Sequence, residues 1–332
     1  MTKNKKPTMK DVAREAGVSV GTVSNVINGV RVRESYRKKV EDAIDTLHYE
    51  VNTYARGLKL AQSGLIALIL PDVINPFYAA FANHVEAALY EKGKKMLLCC
   101  SDGVAEKEIT YLNLVRQNKV DGIIALTYSD IGNDIVDDTP LVVFDRFFEN
   151  HHIPRIASDN FSGACLAVEK LLEFGCRHPL YIRFHSVFPG EADKRKDGYL
   201  YACEKYNLKP DYLDMVDHED WKNSLKAFIK EHRRADGSLS FDGVFAHTDF
   251  HGYHLMEMLQ DYGYAVPEDV QIIGFDGIKK FGYDELFISS ICQPIQKLAE
   301  KCVEFVLEKE RSDLPSLTLL PVSYKYGGST LK

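Results

Sequence analysis

The stretch Met9-Lys-Asp-Val-Ala-Arg-Glu-Ala-Gly-Val-Ser-Val-Gly-Thr-Val-Ser-Asn-Val-Ile-Asn28 carries the signals of two short helices joined by a tight turn. Thr8 and Asp11 form a capping-box pattern at the start of the first helix, and Gly17 is a favourable residue at its C-terminal end. Ser19 is placed to cap the second helix, which Asn28 and the following glycine would end. Two short helices separated by a glycine-containing turn predict a helix-turn-helix.

A third helix is predicted from about Ser35, which completes an all-α unit over residues 1–50. Its apolar positions at helical spacing are Val40, Ala43, Ile44 and Leu47. In a helix-turn-helix the second helix enters the major groove, while hydroxyl and amide groups hold phosphates. The residues predicted to contact DNA in this unit are Thr8, Ser19, Val20, Gly21, Thr22, Asn25 and Asn28. Ser19 and Asn28 suit a helix cap equally well, and the sequence leaves both roles open.

The charge distribution along the chain supports contact between this unit and a polyanion. The whole chain of 332 residues has a net charge of −7. Residues 1–62 contain twelve Lys and Arg against seven Asp and Glu, a net charge of +5, so the remaining 270 residues carry −12. A basic segment on an acidic protein is typical of a nucleic-acid-binding unit, although a solvated basic tail has the same composition.

The quoted stretch resembles the DNA-binding headpiece of the LacI/GalR (lactose-repressor) family of bacterial transcriptional regulators. The resemblance implies that residues 51–62 form a hinge helix and linker that folds on operator DNA. Its DNA-contacting residues would be Asn52, Ala55, Leu58 and Lys59. Leu58 would wedge into the minor groove, since an inserted apolar side chain can kink the duplex. A plain linker is the alternative interpretation of this segment.

Residues 63–332 alternate short apolar runs with longer amphipathic stretches. The apolar runs are 65–70, 96–100, 122–126, 141–144, 180–184, 244–246 and 270–275. The amphipathic stretches include 79–92, 107–118 and 163–174. Alternating strands and helices predict parallel sheets with helices on both faces, so we expect an α/β body with enough residues for two lobes.

In the family that the chain resembles, the body consists of two flavodoxin-like, doubly wound parallel-sheet lobes similar to periplasmic binding proteins. The resemblance implies that the body, residues 63–332, binds an effector and dimerises. It also implies that the chain crosses between the lobes near Asn160, Gln293 and Leu320. The implied N-lobe comprises residues 63–160 and 293–320, and the implied C-lobe residues 161–292 and 321–332.

Ligands of open parallel sheets bind beyond the carboxyl ends of the strands. Carboxylates, an arginine, an amide and aromatic rings stand at such positions or at positions that match the family, and this set suits a polyhydroxylated ligand. The predicted effector-binding residues are Asp72, Phe77, Tyr78, Asp145, Arg195, Trp221, Thr248, Asp276 and Gln293. Arg195 and Asp276 also suit an ion pair of the ligand-free protein. Thr248 stands where the family usually has asparagine, so we expect effector recognition to differ from that of the best-known members.

Two enzymatic or metal-binding interpretations have weaker support. His247, His251 and His254 have the spacing of one helix face, which suits zinc ligands as well as a histidine-rich surface or cleft rim. Acid/base hydrolysis of a glycoside would use Asp145, Asp159 and Asp276. The sequence contains no nucleotide-binding or hydrolase motif, so we predict no enzymatic activity, no cofactor and no metal.

The chain is predicted to act in the cytoplasm without a membrane partner. Its longest apolar run, 65–70, is far shorter than the ~20 residues of a membrane span, and its polar N-terminus lacks the apolar core of a signal peptide. The seven cysteines are an odd number without a Cys-x-x-Cys pair, which argues against a disulfide framework.

These features together predict a repressor of transcription. It would bind a pseudo-palindromic operator as a homodimer, because each headpiece reads one half-site. A small effector, a sugar or sugar derivative, would bind between the lobes and control DNA binding. A sugar-binding protein or a sugar-active enzyme without a DNA role is the alternative.

Overall fold

Three short helices form the N-terminal unit of the protein. The computed structural model describes residues 7–49, 63–127, 129, 131–135, 139–146, 153–216, 220–280 and 284–332. The helices are α1 (Met9–Ala16), α2 (Val20–Ile27) and α3 (Glu34–Leu47). Their apolar faces meet in a small core in which Val12, Val23 and Val40 are fully buried. This arrangement confirms the predicted helix-turn-helix and its third helix.

The chain divides into two compact units, residues 1–63 and 64–332. The predicted division into a head (1–50), a hinge segment (51–62) and a body (63–332) stays a prediction, because residues 50–62 lie outside the described part of the chain. Within the described part, no helix combines the length and the apolar composition that a bilayer span requires.

Two six-stranded sheets form the second unit. The strands are β1 (Leu65–Leu70), β2 (Lys95–Cys100), β3 (Gly122–Ala125), β4 (Leu141–Phe144), β5 (Arg155–Ser158), β6 (Pro179–His185), β7 (Tyr212–Val216), β8 (Gly243–Ala246), β9 (Gln271–Asp276), β10 (Ser290–Cys292), β11 (Leu317–Leu320) and β12 (Ser323–Lys325). The first sheet has the order β11-β5-β4-β3-β1-β2, and the second has the order β12-β10-β9-β8-β6-β7. We call the first sheet with its helices the N-lobe and the second the C-lobe. The described pairings are parallel apart from β12, which runs antiparallel to β10.

Helices cover both faces of each sheet. They are α4 (Pro76–Glu91), α5 (Ala105–Gln117), α6 (Asn160–Glu173), α7 (Lys194–Lys205), α8 (Trp221–Glu231), α9 (Asp249–Asp261) and α10 (Ile295–Leu307). In the N-lobe, α4 and α10 pack on one face and α5 on the other. In the C-lobe, α6 and α7 cover one face, and α8 and α9 the other. The predicted doubly wound α/β fold is therefore confirmed.

The chain passes between the two sheets three times. It leaves the N-lobe after β5 and enters α6 of the C-lobe, returns between β10 and α10, and leaves again between β11 and β12. Parallel strands end at the same edge of a sheet, so the segments after β4, β6, β8 and β9 line the carboxyl edges of the two lobes. This topology locates the candidate effector site at these carboxyl edges, between the two lobes.

Candidate functional site

The first helix of the head is fixed at both ends by local contacts. The Asp11 carboxylate accepts hydrogen bonds from the Thr8 backbone N–H at 2.9 Å and from the Thr8 hydroxyl at 2.6 Å. These bonds hold the pKa of Asp11 below its usual range. Gly17 ends α1 with φ 65°, a left-handed conformation that glycine adopts without strain. The predicted cap residues at both ends are thus confirmed.

The second helix turns one face towards solvent. Val20, Gly21 and Asn25 are exposed on this face, and 42% of the Val20 surface is accessible. Val23 of the same helix is fully buried in the head core, which fixes the rotation of α2 about its axis. The N-terminal part of α2 is therefore open to a large partner such as a DNA groove.

Ser19 and Asn28 both act as helix caps. Ser19 Oγ accepts the Thr22 backbone N–H at 3.1 Å and lies 2.9 Å from Thr22 Oγ1, while Asn28 Nδ2 donates to Ser24 Oγ at 3.3 Å. Ser19 nevertheless stays exposed, so capping leaves it accessible. DNA contact by these residues and by Thr8 stays a prediction. The predicted hinge contacts lie outside the described residues; they are Asn52, Ala55, Leu58 and Lys59.

Arg195 occupies the centre of the candidate effector site. It lies in the first turn of α7 and is only 4% exposed. Its Nε donates to Asn160 Oδ1 at 2.8 Å, and its Nη1 donates to the His247 carbonyl at 2.5 Å. The guanidinium lies 3.7 Å from the Phe275 ring centroid, and its Nη2 lies 3.9 Å from Asp276 Oδ1. These contacts hold the guanidinium plane in one orientation and leave the Nη2 edge towards the carboxylate.

Asp276 and Gln293 continue this group to the crossing between the lobes. Gln293 Nε2 donates to Asp276 Oδ1 at 2.7 Å, and Gln293 Oε1 accepts the Ser158 hydroxyl at 2.8 Å. Ser158 ends β5 of the N-lobe, whereas Asp276 ends β9 of the C-lobe. A buried polar chain therefore joins the carboxyl edges of the two lobes through Gln293.

A second buried carboxylate comes from the N-lobe and belongs to Asp145. This residue follows β4 with φ 65°, a left-handed conformation that is uncommon for a residue other than glycine. Burial raises the pKa of Asp145 to about 6, and the positive charge of Arg195 opposes that rise. The structure thus gathers four of the predicted effector residues into one group: Asp145, Arg195, Asp276 and Gln293.

Asp249 belongs to the same buried region, although the sequence did not single it out as a site residue. Its Oδ2 accepts the backbone N–H groups of Gly277 and Ile278 at 2.8 and 2.7 Å. Burial and the nearby charge of Asp276 raise the pKa of Asp249. The signal that was available is its place directly after Thr248, the position where this chain departs from the family pattern.

Thr248 and Trp221 lie in a separate group at the carboxyl edge of the C-lobe. The Thr248 hydroxyl caps α9 by accepting the His251 backbone N–H at 3.3 Å, and it lies 2.9 Å from His251 Nδ1. Trp221 starts α8 and packs against His251, with ring centroids 5.1 Å apart, and against Phe184 at 5.8 Å. An aromatic wall therefore stands beside the α9 N-terminus.

The remaining predicted contacts lie in the N-lobe. Asp72 Oδ1 accepts two backbone N–H groups of the turn that follows it, at 2.7 and 2.8 Å. Phe77 is buried in the N-lobe core, 5.9 Å from the Phe144 ring, and the half-buried Tyr78 lies edge-on to it at 6.0 Å. The structure therefore gives Asp72 a turn-forming role and Phe77 a packing role; effector contact by all three stays a prediction.

The expectation that three histidines share one helix face is wrong. Thr248 caps α9, so His247 precedes the helix, and its Nδ1 lies 2.7 Å from the Tyr181 hydroxyl. His247 and His251 are also buried rather than on the surface. Among the residues that the structure describes, no group of three or more His, Cys, Asp or Glu could hold a metal ion.

The three aspartates of the hydrolase interpretation have different structural roles. Asp159 Oδ1 accepts the Ser162 backbone N–H at 3.0 Å and thereby caps α6. The arrangement around Arg195 instead offers a guanidinium edge, two carboxylates and an amide in a buried setting. Such groups bind paired hydroxyls by directional hydrogen bonds.

Comparison with known families assigns the two parts of the chain. Residues 8–52 match bacterial regulatory proteins of the lacI family, and residues 168–330 match a periplasmic binding protein-like domain. A ribose operon repressor of Halalkalibacterium halodurans is 34% identical over 91% of this chain and 90% of its own length. The chain belongs to the LacI family. This family member is therefore a bacterial transcriptional regulator, and the predicted resemblance is confirmed.

Other relatives extend the match to nearly the whole chain. A sucrose operon repressor of Lactococcus lactis is 32% identical over 96% of this chain and 98% of its own length. These relatives are named for the operons that they repress, and not for a reaction. A sugar-binding protein or an enzyme without a DNA role does not account for the match over the head.

Solved structures support the same assignment. A periplasmic binding protein/LacI transcriptional regulator from Alkaliphilus metalliredigens, complexed with D-xylulofuranose, is 30% identical; it covers 81% of this chain and all of its own, with a TM-score of 0.67. A lac repressor dimer bound to operator covers 98% of this chain and all of its own with a TM-score of 0.83 at 20% identity. This second likeness is one of fold, and it covers both the head and the body of this LacI-family member.

Proposed function

We propose that this LacI-family protein is a repressor that binds a pseudo-palindromic operator as a homodimer and responds to a sugar or sugar derivative. The observation that carries the proposal is the buried group of Arg195, Asp276 and Gln293 at a crossing between the lobes. The names of the relatives, which include ribose and sucrose operon repressors, support a carbohydrate effector. The protein acts in the cytoplasm, where its operator lies, and carries out no catalysis.

The effector would be held by directional bonds on one side and ring packing on the other. Arg195, Asp145 and Asp276 offer donors and acceptors for neighbouring hydroxyls, and Thr248 offers a single hydroxyl. Trp221 suits packing against the apolar face of a sugar ring. Because buried carboxylates outnumber the guanidinium in this group, an uncharged polyol fits it better than an anionic ligand does.

DNA would be bound by the exposed face of α2. Its N-terminal residues would enter the major groove, where Gly21 allows close approach and Asn25 reaches base edges. One head covers one half-site, so two chains are needed for a palindromic operator. Leu58 would wedge into the central minor-groove step and kink it.

Effector and operator would be coupled through the arrangement of the two lobes. Gln293 bonds to both lobes, so a ligand that displaces Asp276 would also displace Ser158 of the N-lobe through Gln293. Coupling of this kind is typically worth about 1–3 kcal/mol. The effector therefore changes operator affinity by roughly 5- to 150-fold.

The DNA part of the proposal is tested with the full chain. In vitro selection from random duplexes identifies an operator, and fluorescence anisotropy then measures its affinity. We expect a palindromic consensus and a strong loss of affinity in Asn25→Ala. Asn113→Ala, an exposed asparagine of α5, is the matched control and should bind as the unmodified chain does. Selection of no consensus sequence would refute sequence-specific repression.

The effector part is tested by a thermal-shift screen of sugars, sugar phosphates and nucleosides. The compound that stabilises the body is then added to the anisotropy titration. We expect a neutral sugar to raise the unfolding temperature and to change operator affinity. Stabilisation by nucleosides alone would contradict a carbohydrate effector.

A further inference from the structure

One turn of the C-lobe reaches across the cleft to the N-lobe backbone. The Glu191 backbone N–H donates to the Asp145 carbonyl at 2.7 Å, and Arg146 Nη1 donates to the Pro189 carbonyl at 2.8 Å. Arg146 and Gly190 also pair as a short antiparallel bridge. Residues 189–191 precede α7, which carries Arg195, whereas residues 145 and 146 follow β4 of the N-lobe. These bonds join the lobes outside the three chain crossings.

An ion pair strengthens the same contact. Arg155 Nη2 of β5 lies 3.1 Å from Glu191 Oε1, and the two side chains are only 19% and 13% exposed. An ion pair that is largely shielded from water interacts more strongly than one on the open surface, where the median worth is about 0–1 kcal/mol. Glu191 therefore contacts the N-lobe through both its backbone and its carboxylate.

Gly190 allows the two backbones to approach this closely. A Cβ atom at this position would lie 3.1 Å from the Asp145 carbonyl oxygen and 3.2 Å from Asp145 Oδ2. The backbone at Gly190 is extended, with φ −146° and ψ 179°, which any residue adopts. The requirement for glycine is thus one of space between the lobes, and not one of backbone conformation.

We propose that Arg146, Arg155, Pro189, Gly190 and Glu191 form an inter-lobe latch that holds the cleft closed without a ligand. Because an effector that binds between closed lobes gains apparent affinity from a pre-formed closed state, the latch also sets the sensitivity of the regulator. This second consequence rests on the proposed function, whereas closure itself does not.

The latch is tested by measuring a distance between the lobes in the ligand-free full chain. Genetically encoded spin labels replace Glu304 on α10 and Glu204 on α7, both exposed, and pulsed electron resonance gives the distance distribution. We expect one dominant distance in the unmodified chain. Glu191→Gln should raise the open-to-closed ratio by about fivefold or more, since fivefold is the upper value for an exposed ion pair. Gly190→Ala should shift it in the same direction through steric contact alone.

Lys94→Met is the matched control. It breaks the Lys94–Asp121 ion pair within the N-lobe, which has a similar exposure of 21% and 12%. The distance distribution should not change in this variant. Exchange of the Glu191 amide proton, followed by mass spectrometry of the surrounding peptide, should quicken in Glu191→Gln and Gly190→Ala and stay unchanged in the control.

Unchanged distances in both Glu191→Gln and Gly190→Ala would overturn the latch. That result would leave the proposed function intact, since the measurement contains neither operator nor effector. Conversely, failure to select an operator would refute the proposed function and leave the distance result standing.

Discussion

The head and the effector cleft use polar side chains in opposite ways. In the head, polar groups bond to neighbours three or four residues away, and Ser19, which bonds to Thr22, stays exposed. In the cleft, polar groups are buried and bond to residues that are distant in sequence, as Arg195 does with Asn160 and with the His247 carbonyl. The head therefore presents a preformed surface, whereas the cleft exists only when the whole body is folded.

This difference matches the two kinds of partner. DNA is a large polyanion that an exposed, basic surface can reach, and phosphate contacts supply much of the affinity. A sugar offers a few hydroxyls, which give useful affinity only when desolvated groups meet them at fixed angles. The comparison predicts that salt, mutation and pH act differently on the two regions.

Salt concentration should give the largest difference between the two regions, because it should weaken DNA binding by the head and leave effector binding in the cleft almost unchanged. The exposed basic residues in the described part of the head are Lys10, Arg14, Arg31, Arg33, Lys38 and Lys39. Contact with four phosphates would give a slope of log affinity against log salt of about −3.6, so raising salt from about 50 to 200 mM weakens DNA binding roughly a hundredfold. Binding of a neutral effector in the buried cleft should barely change. Anisotropy and calorimetric titrations over the same salt series check both, and a flat response of DNA binding would contradict the polyanion contact.

Removal of Arg195 should damage the cleft and spare the head. Arg195→Ala leaves the buried Asp276 carboxylate without its cation, so we expect a loss of at least about 2 kcal/mol in body stability together with loss of the effector response. Operator binding should stay measurable, because the head has its own core. Lys194→Ala, a neighbouring exposed residue, is the control. An unchanged effector midpoint in the Arg195 variant would remove this residue from the site.

Loss of a helix cap should have the converse effect. Ser19→Ala removes the acceptor for the Thr22 backbone N–H, and such a loss typically costs about 1 kcal/mol. The unfolding of the head, followed by amide exchange, should shift by that amount, whereas the body should unfold as before. Ser35→Ala in α3 provides the comparison; an equal shift in both variants would argue against a capping effect.

Carboxylates should give the two regions pH dependences of stability with opposite signs. Burial raises the pKa of Asp145 to about 6, so the folded body binds a proton more tightly than the unfolded chain, whose value is about 4. Protonation of Asp145 therefore contributes stability to the body as pH falls from about 7 towards 4, whereas His247 and His251, whose pKa burial lowers, act in the opposite direction below about pH 6.5. In the head, bonds from Thr8 lower the pKa of Asp11, so its contribution is present above about pH 4 and lost on further acidification.

The only tryptophan, Trp221, lies in the body, so its fluorescence reports body unfolding by itself. We expect the unfolding midpoint of the body to fall as pH rises from about 6.5 to 8, a range in which the buried His247 and His251 contribute little. Asp249→Asn should flatten this dependence, because burial and Asp276 also raise the pKa of Asp249. A midpoint that rises over this range in the unmodified chain would contradict the assigned shifts.

The sequence predicted the strongly apolar elements and missed several short ones. All seven apolar runs are strands, and β1 and β4 have the predicted bounds. The five strands β5, β7, β10, β11 and β12 were not among those runs, since each has only three to five residues and mixes polar with apolar side chains. Three of them, β7, β11 and β12, lie at sheet edges, where half of the strand meets solvent and the apolar signal is weak.

Candidate site residues were easier to find than their roles. Asp276 follows the apolar run 270–275, Gln293 stands at a lobe crossing that the family resemblance implies, and Arg195 was found from its match to the family pattern. His247 was misjudged because the helical spacing of three histidines ignores where α9 begins. Asp249 was missed because a carboxylate at the start of a helix is usually exposed, and the sequence does not show that this one is buried.

The sequence by itself determined the head and the succession of the strongly apolar strands of the body. Caps and apolar faces act over three or four residues, so Thr8, Gly17 and Ser19 reveal their roles without any distant partner. Only the tertiary structure decided which buried polar groups meet. Arg195 bonds to partners 35 and 52 positions away, and Gln293 bonds to Ser158, 135 positions away. Such pairings depend on strand order and lobe closure, because a buried hydrogen bond forms only between groups that packing has already brought within about 3 Å.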